Sequence, residues 1–224
     1  RWLVALAMPF FIVFLWLWLL WRPWFVRWEY SRPTFPPDRY GFTVQQRLDF
    51  TLAWVEYYHS SASPEEGIAE LQALRMPGSN QPLHQPEELS HMNDVRRLTD
   101  TLWRVALPVS ALLVVGGLAM LLVPRRTRRD GYAALFTGGV ITTGLLFFFV
   151  LYVLFSFRTF FVTMHNLFFP PGTWTFEYSS TLIRLFPEQF WFDAGLLLIG
   201  GALVAGVAVL LVGHLLGRRA RLRT

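Results

Sequence analysis

The stretch AGLLLIGGALVAGVAVLLVGHLL, from Ala194 to Leu216, decides the fold class, because His214 is its one ionisable side chain. As a helix it exceeds the roughly 20 apolar residues that cross a bilayer core. Three more runs approach or exceed that length: Trp2 to Trp21, Val105 to Val123 and Tyr132 to Phe157. The chain is 54% hydrophobic with a mean hydropathy of +0.38, more apolar surface than one soluble domain needs for its core. These features predict an all-α membrane protein: one membrane domain, 1–224, with spans at about 2–21, 105–123, 132–157 and 194–216.

The first run is longer than a secretory signal core. It meets Trp21-Arg22-Pro23-Trp24 instead of a small-residue cleavage site, so it reads as a retained anchor. Because the chain opens at Arg1, a short native N-terminus is expected ahead of it. All 20 basic residues are arginine. Arg125, Arg126, Arg128 and Arg129 crowd the short loop between spans two and three, and Arg218, Arg219, Arg221 and Arg223 crowd the tail. The positive-inside rule makes both regions cytoplasmic, with both termini inside and residues 27–100 and 158–192 outside. The net charge of +5 therefore flanks spans and forms no soluble basic face for nucleic acid. Absence of cysteine excludes disulfides, thiol catalysis and lipidation of this chain, and suits an outward-facing bacterial membrane protein.

The first outer segment, 27–100, carries helix-start signals. Thr43-Val44-Gln45-Gln46 has capping-box form, followed by Val44, Leu48, Leu52 and Val55 at helical spacing. Ser63-Pro64-Glu65-Glu66 repeats the signal with proline at the first helical position, and Met76-Pro77-Gly78-Ser79-Asn80 supplies a stop. A third helix is expected from near Pro86 through His91 towards span two. The segment reads as a helical cap on the membrane, with Trp24, Trp28, Tyr30, Tyr40, Trp54, Tyr57 and Tyr58 in the headgroup layer. The second outer segment, 158–192, is aromatic and proline-bent, an interfacial loop packed under the cap. Glycines 116, 117, 138, 139, 144, 200, 201 and 206 read as close-packing positions between spans.

Two histidines stand out: His91 in Ser90-His91-Met92-Asn93-Asp94-Val95, and His165 in Met164-His165-Asn166-Leu167-Phe168-Phe169. The topology brings both to one bilayer face, and imidazole moves protons near neutral pH. His91 shares a helix face with Asp94, whose carboxylate would orient the ring, although the local pattern fits a wet surface histidine as well. His165 lies among aromatics at membrane depth, where an ionisable group needs a reason to be present. Arg184, Glu188 and Asp193 read as an ion-pair set fastening the loop, with a headgroup or oxyanion contact as the other reading. His59, His84 and His214 carry no signal of function. No close-spaced metal-ligand pattern and no nucleophile elbow occurs, so neither metal nor a covalent serine is expected.

The stretches Glu88 to Val95, His165 to Trp174 and Thr181-Leu182-Ile183-Arg184-Leu185-Phe186-Pro187-Glu188-Gln189-Phe190 resemble a family of bacterial four-span membrane proteins that includes the lipoprotein intramolecular transacylase Lit. The resemblance covers most of the chain, with the weakest likeness from Glu29 to Arg75. It implies a catalytic pair, His91 and His165; Asp94, Trp174, Arg184 and Glu188 are the candidate supporting residues around them. The implied reaction moves an sn-2 acyl chain of a diacylglyceryl-cysteine to its own α-amino group, with a lipoprotein or lipid substrate, membrane lipids around it and no cofactor. His165 would act as base, and His91 as acid or electrostatic support. The other class of function that fits the composition is a non-catalytic accessory subunit associated with other membrane subunits.

Overall fold

The computed structural model describes residues 1–60 and 63–222, so the arginine expected to act at position 223 lies outside the described residues. Among the described residues the regular structure is helical, with one isolated antiparallel bridge, Arg75 to Pro82. Four helices are long and apolar enough to cross a membrane: α1 (Trp2–Leu20), α5 (Pro86–Leu122), α6 (Arg125–Phe168) and α8 (Glu188–Leu222). Between them lie α2 (Pro23–Ser31), α3 (Val44–His59), α4 (Pro64–Gln72) and the short α7 (Thr181–Leu185). The protein is a multi-pass membrane protein, as the hydropathy pattern required.

The described chain divides into two compact units. The spanning unit comprises Arg1–Leu19, Thr101–Phe157 and Gly195–Thr224. Its packing depends on small residues. A methyl group added at Gly139 would fall on the backbone of Leu210, and one added at Gly213 on the backbone of Phe136, so α6 and α8 touch main chain to main chain. Gly201 faces the Trp16 ring at 2.7 Å from the position of such a methyl group. Gly144 and Gly200 have open space around them, so close packing accounts for some of the span glycines and not for these two.

The second unit comprises Leu20–Asp100 and Arg158–Ala194. Both capping boxes form: the Thr43 and Ser63 hydroxyls accept from the third-residue amides, and Gln46 and Glu66 reach back to the cap amides. Trp54, Tyr57 and Tyr30 were expected among headgroups, but they form the interior of this unit, at 0%, 3% and 5% exposure. A wide ring yields more by filling a core than by resting on a surface, and each polar edge that bonds makes this affordable. The Tyr30 hydroxyl donates to the Leu185 carbonyl at 2.5 Å, and that of Tyr57 to Asn93 Oδ1 at 3.0 Å. Trp24, Trp28 and Tyr40 remain exposed.

The segment from 158 differs from the expected loop. Helix continues to Phe168 after a break at Ser156 (φ −146°, ψ 43°), and irregular backbone follows only after that. The apolar run 158–168 thus satisfies its own amides in a helix before the prolines at 170 and 171 end it.

Candidate active site

His91 lies in the second turn of α5 and His165 near the end of α6, and their rings meet with centroids 6.0 Å apart and planes inclined by 30°. Both are buried, at 5% and 8% exposure. His165 Nδ1 lies 2.9 Å from the Phe161 carbonyl one turn earlier. In the neutral ring a carbonyl partner demands N–H at Nδ1, which leaves the lone pair on Nε2. Nδ1 of His91 is buried without a hydrogen-bond partner.

Aromatic side chains enclose the pair. Phe161 and Trp174 stand 4.0 and 4.8 Å from the His165 ring, Phe169 and Phe176 stand 5.0 and 5.6 Å from the His91 ring, and Phe169 also borders His165 at 5.7 Å. Trp174 arrives there through the turn Pro170 to Thr173, closed by the Thr173 hydroxyl on the Pro170 carbonyl at 2.8 Å. Gly172 makes that turn possible at φ +85°, a left-handed conformation that costs glycine nothing. The Trp174 Nε1–H is buried and has no partner.

The other expected site residues lie elsewhere. Asp94 is half-buried and makes no hydrogen bond or ion pair to His91 among the described residues. Arg184, Glu188 and Asp193 do not form one set. Arg184 pairs side-on with Asp38, Nε to Oδ1 at 3.1 Å and Nη2 to Oδ2 at 2.9 Å, while its guanidinium lies over Phe42 at 3.5 Å. Glu188 is exposed, and Asp193 bonds Arg32 Nη1 at 2.6 Å. The fork of a guanidinium prefers a carboxylate that can accept on two oxygens, and Asp38, itself held by the Phe42 and Tyr40 amides, offers that geometry. Arg184 is therefore committed to the scaffold through Asp38.

Two acidic residues matter more than their surroundings in the sequence indicated. Glu88 is 1% exposed and accepts the Leu182 amide at 2.8 Å and the Gln85 amide at 2.7 Å. It thereby joins the start of α7 to the first turn of α5, one turn before His91. Local reading makes Glu88 an ordinary first-turn acid, and only the bond to Leu182 distinguishes it. His84, which carried no signal, is buried at 3% beside the Trp54 ring and 3.8 Å from Glu88, and burial pushes its pKa down to about 4. Glu29 is fully buried, with Arg32 bonding both it and Asp193. Burial first, then the Asp193 carboxylate, push the Glu29 pKa up to about 7 against the pull of Arg32. No group of three metal-ligating side chains occurs among the described residues.

A four-span membrane protein with paired imidazoles in an aromatic recess of its second unit is the class that fold and site define. The family model for the lipoprotein intramolecular transacylase Lit matches residues 2–191, and the chain belongs to that family, which makes it a transacylase-type enzyme. The chain is 28% identical over 195 residues to an uncharacterized protein of Aquifex aeolicus, covering 87% of this chain and 83% of that one. In fold it is similar to the membrane-integral lipoprotein intramolecular transacylase Lit from Bacillus cereus, with a TM-score of 0.78 at 18% identity over 98% and 95% of the two chains. A variant of that protein with one histidine changed to arginine matches with a TM-score of 0.57 at 15% identity, over 99% and 92%.

Proposed function

We propose that this chain moves the sn-2 acyl group of a lipoprotein's diacylglyceryl-cysteine onto the α-amino group of the same cysteine, leaving a lyso-form lipoprotein. The site would lie at the extracytoplasmic face of a bacterial plasma membrane, with both termini cytoplasmic and the whole chain acting as one membrane domain. The reading rests on one observation above all: two buried imidazoles 6.0 Å apart inside an aromatic recess.

An α-ammonium group with a pKa near 8 must lose a proton before its nitrogen can attack an ester carbonyl. His165 Nε2, with its lone pair fixed by the Nδ1 bond to Phe161, is the base for that step. Attack forms the C–N bond and puts negative charge on the former carbonyl oxygen. The Trp174 Nε1–H is unpartnered beside His165, whereas Arg184 is occupied by Asp38, so Trp174 is the donor that meets this charge. Collapse breaks the ester C–O bond, and His91 passes to the glyceryl oxygen the second proton, which it takes from the attacking nitrogen. Of the two protons the nitrogen sheds, one leaves through His165 to solvent and the other ends on glycerol. Amine and ester belong to one molecule, so holding them together supplies up to roughly 7 to 11 kcal/mol of the acceleration. The aromatic wall disfavours loss of the acyl group to water.

The test is acyl transfer by the purified chain, read from the mass of a lipoprotein N-terminus. His165→Ala and His91→Ala are each expected to lower the rate by about 10² to 10⁴. Near-normal transfer in both variants overturns the mechanism, and no transfer by well-folded wild type favours the accessory-subunit reading.

A further inference from the structure

A cleft of about 760 Å³ opens in the second unit between segment 76–90 and loop 172–181, and nothing in the proposed chemistry uses it. Most of the residues that line it are polar, among them Gln81, Glu87, Glu88, Thr175, Glu177 and Ser180, although apolar atoms make up the larger share of the wall. It has three carboxylates and no basic residue. Glu87 and Glu177 are exposed, so their charges face whatever enters, whereas Glu88 is already spent on two amides.

The cleft adjoins the histidine pair. Phe176 lines it and also stands 5.6 Å from the His91 ring, and Ser90, another wall residue, precedes His91 in α5. The reacting centre thus has two different flanks. The rings of Phe161, Trp174 and Phe169 make one apolar, and the cleft beyond Phe176 brings carboxylates and hydroxyls to the other. A lipoprotein has the same two-sided chemistry, with acyl chains on one side of the reacting ester and amine and a water-soluble peptide on the other. Resting on the transacylase reading, we infer that the cleft holds the peptide that follows the acylated cysteine and selects against acidic residues in it. A volume within the range of about 300 to 1,000 Å³ typical of ligand sites accommodates a short extended peptide. Two uncompensated carboxylates repel a like charge there and attract lysine or arginine.

The probe is a dialkyl-ether analogue of the diacylglyceryl-cysteine, which binds but cannot transfer, carrying a dye-labelled peptide of about five residues. Tails bearing lysine, serine or glutamate are compared on the full chain in zwitterionic micelles by fluorescence anisotropy. At low salt the lysine tail is expected to bind more tightly than the glutamate tail by more than about threefold, with the gap closing at high salt. Glu87→Lys/Glu177→Lys should reverse the order, and the volume-conserving Glu87→Gln/Glu177→Gln should flatten it. Equal binding of all tails to wild type, or an unchanged order in both double variants, overturns the inference. The ester forms of the same probes separate the two claims. Acyl transfer without tail preference sinks the cleft assignment alone, and tail-selective binding of the ether probes without transfer of the esters sinks the transacylase reading alone.

Discussion

Replacing Glu88 by leucine adds about one methylene of volume and removes both acceptors from a site that is 1% exposed. The Leu182 amide, now in a buried bond of 2.8 Å, is then left without a partner, and the part-buried Gln85 amide, now bonded at 2.7 Å, has only solvent to turn to. Hydrogen bonds to a charged group are worth about 1.5 to 3 kcal/mol each, so two amount to about 3 to 6 kcal/mol. The lower figure corresponds to a factor on the order of 100 in a local opening equilibrium. Hydrogen exchange of those two amides in the full chain in micelles reads that factor directly, with amides of α1 in the other unit as internal reference. Glu88→Gln retains one acceptor oxygen and should fall between wild type and Glu88→Leu. Because Glu88 holds the turn that precedes His91, a displacement of about 1 Å there also lowers acyl transfer by roughly 100-fold. Exchange at Leu182 and Gln85 that rises less than about threefold in Glu88→Leu would refute the claim that this carboxylate joins α7 to α5.

Trp174→Phe keeps an aromatic wall and deletes the unpartnered N–H, so kcat is expected to fall by about 10² to 10³ with little change in KM; an unchanged kcat removes Trp174 from the mechanism. Asp94→Asn is expected to leave transfer within about twofold of wild type, because no bond joins Asp94 to His91, and a loss comparable to that of His91→Ala would restore the sequence-based pairing. Asp38→Ala leaves the Arg184 guanidinium buried without its carboxylate, and a loss of about 3 to 5 kcal/mol in unfolding free energy is expected. Glu29 should give a pH signature. Its carboxyl is raised from 4.5 to about 7 by folding, so within that window the folded chain holds more protons than the unfolded one and stability falls as pH rises. Glu29→Gln should flatten this part of the stability profile, and identical slopes for variant and wild type would contradict the assignment.

Hydropathy and helix caps are local properties, and they were legible along the chain. Twenty apolar residues in a row must satisfy their amides internally whatever their neighbours, which is why Ala194 to Leu216 announces a span. Thr43 and Ser63 cap their helices through residues three positions away. His165 was also visible, because an ionisable ring among Phe and Trp is conspicuous anywhere, whereas His91 stood out by topology and resemblance and not by its local pattern. Their separation was not visible, since it depends on segments 74 residues apart packing around Phe169.

The tertiary structure alone assigned the partners of the charged groups. Arg184 has Glu188 four residues further along the chain, and its carboxylate comes instead from Asp38, 146 residues away. Glu88 looks like any first-turn acid until Leu182, 94 residues on, donates to it. Ion pairs and buried hydrogen bonds are short-range and directional, so which groups meet is settled by the path of the folded backbone and by which groups are removed from water, and composition carries neither. Trp54 and Tyr57 follow the same logic: an aromatic ring at a membrane protein's polar end suits headgroups or a core equally well, and the packing of α3 against its neighbours put these two inside.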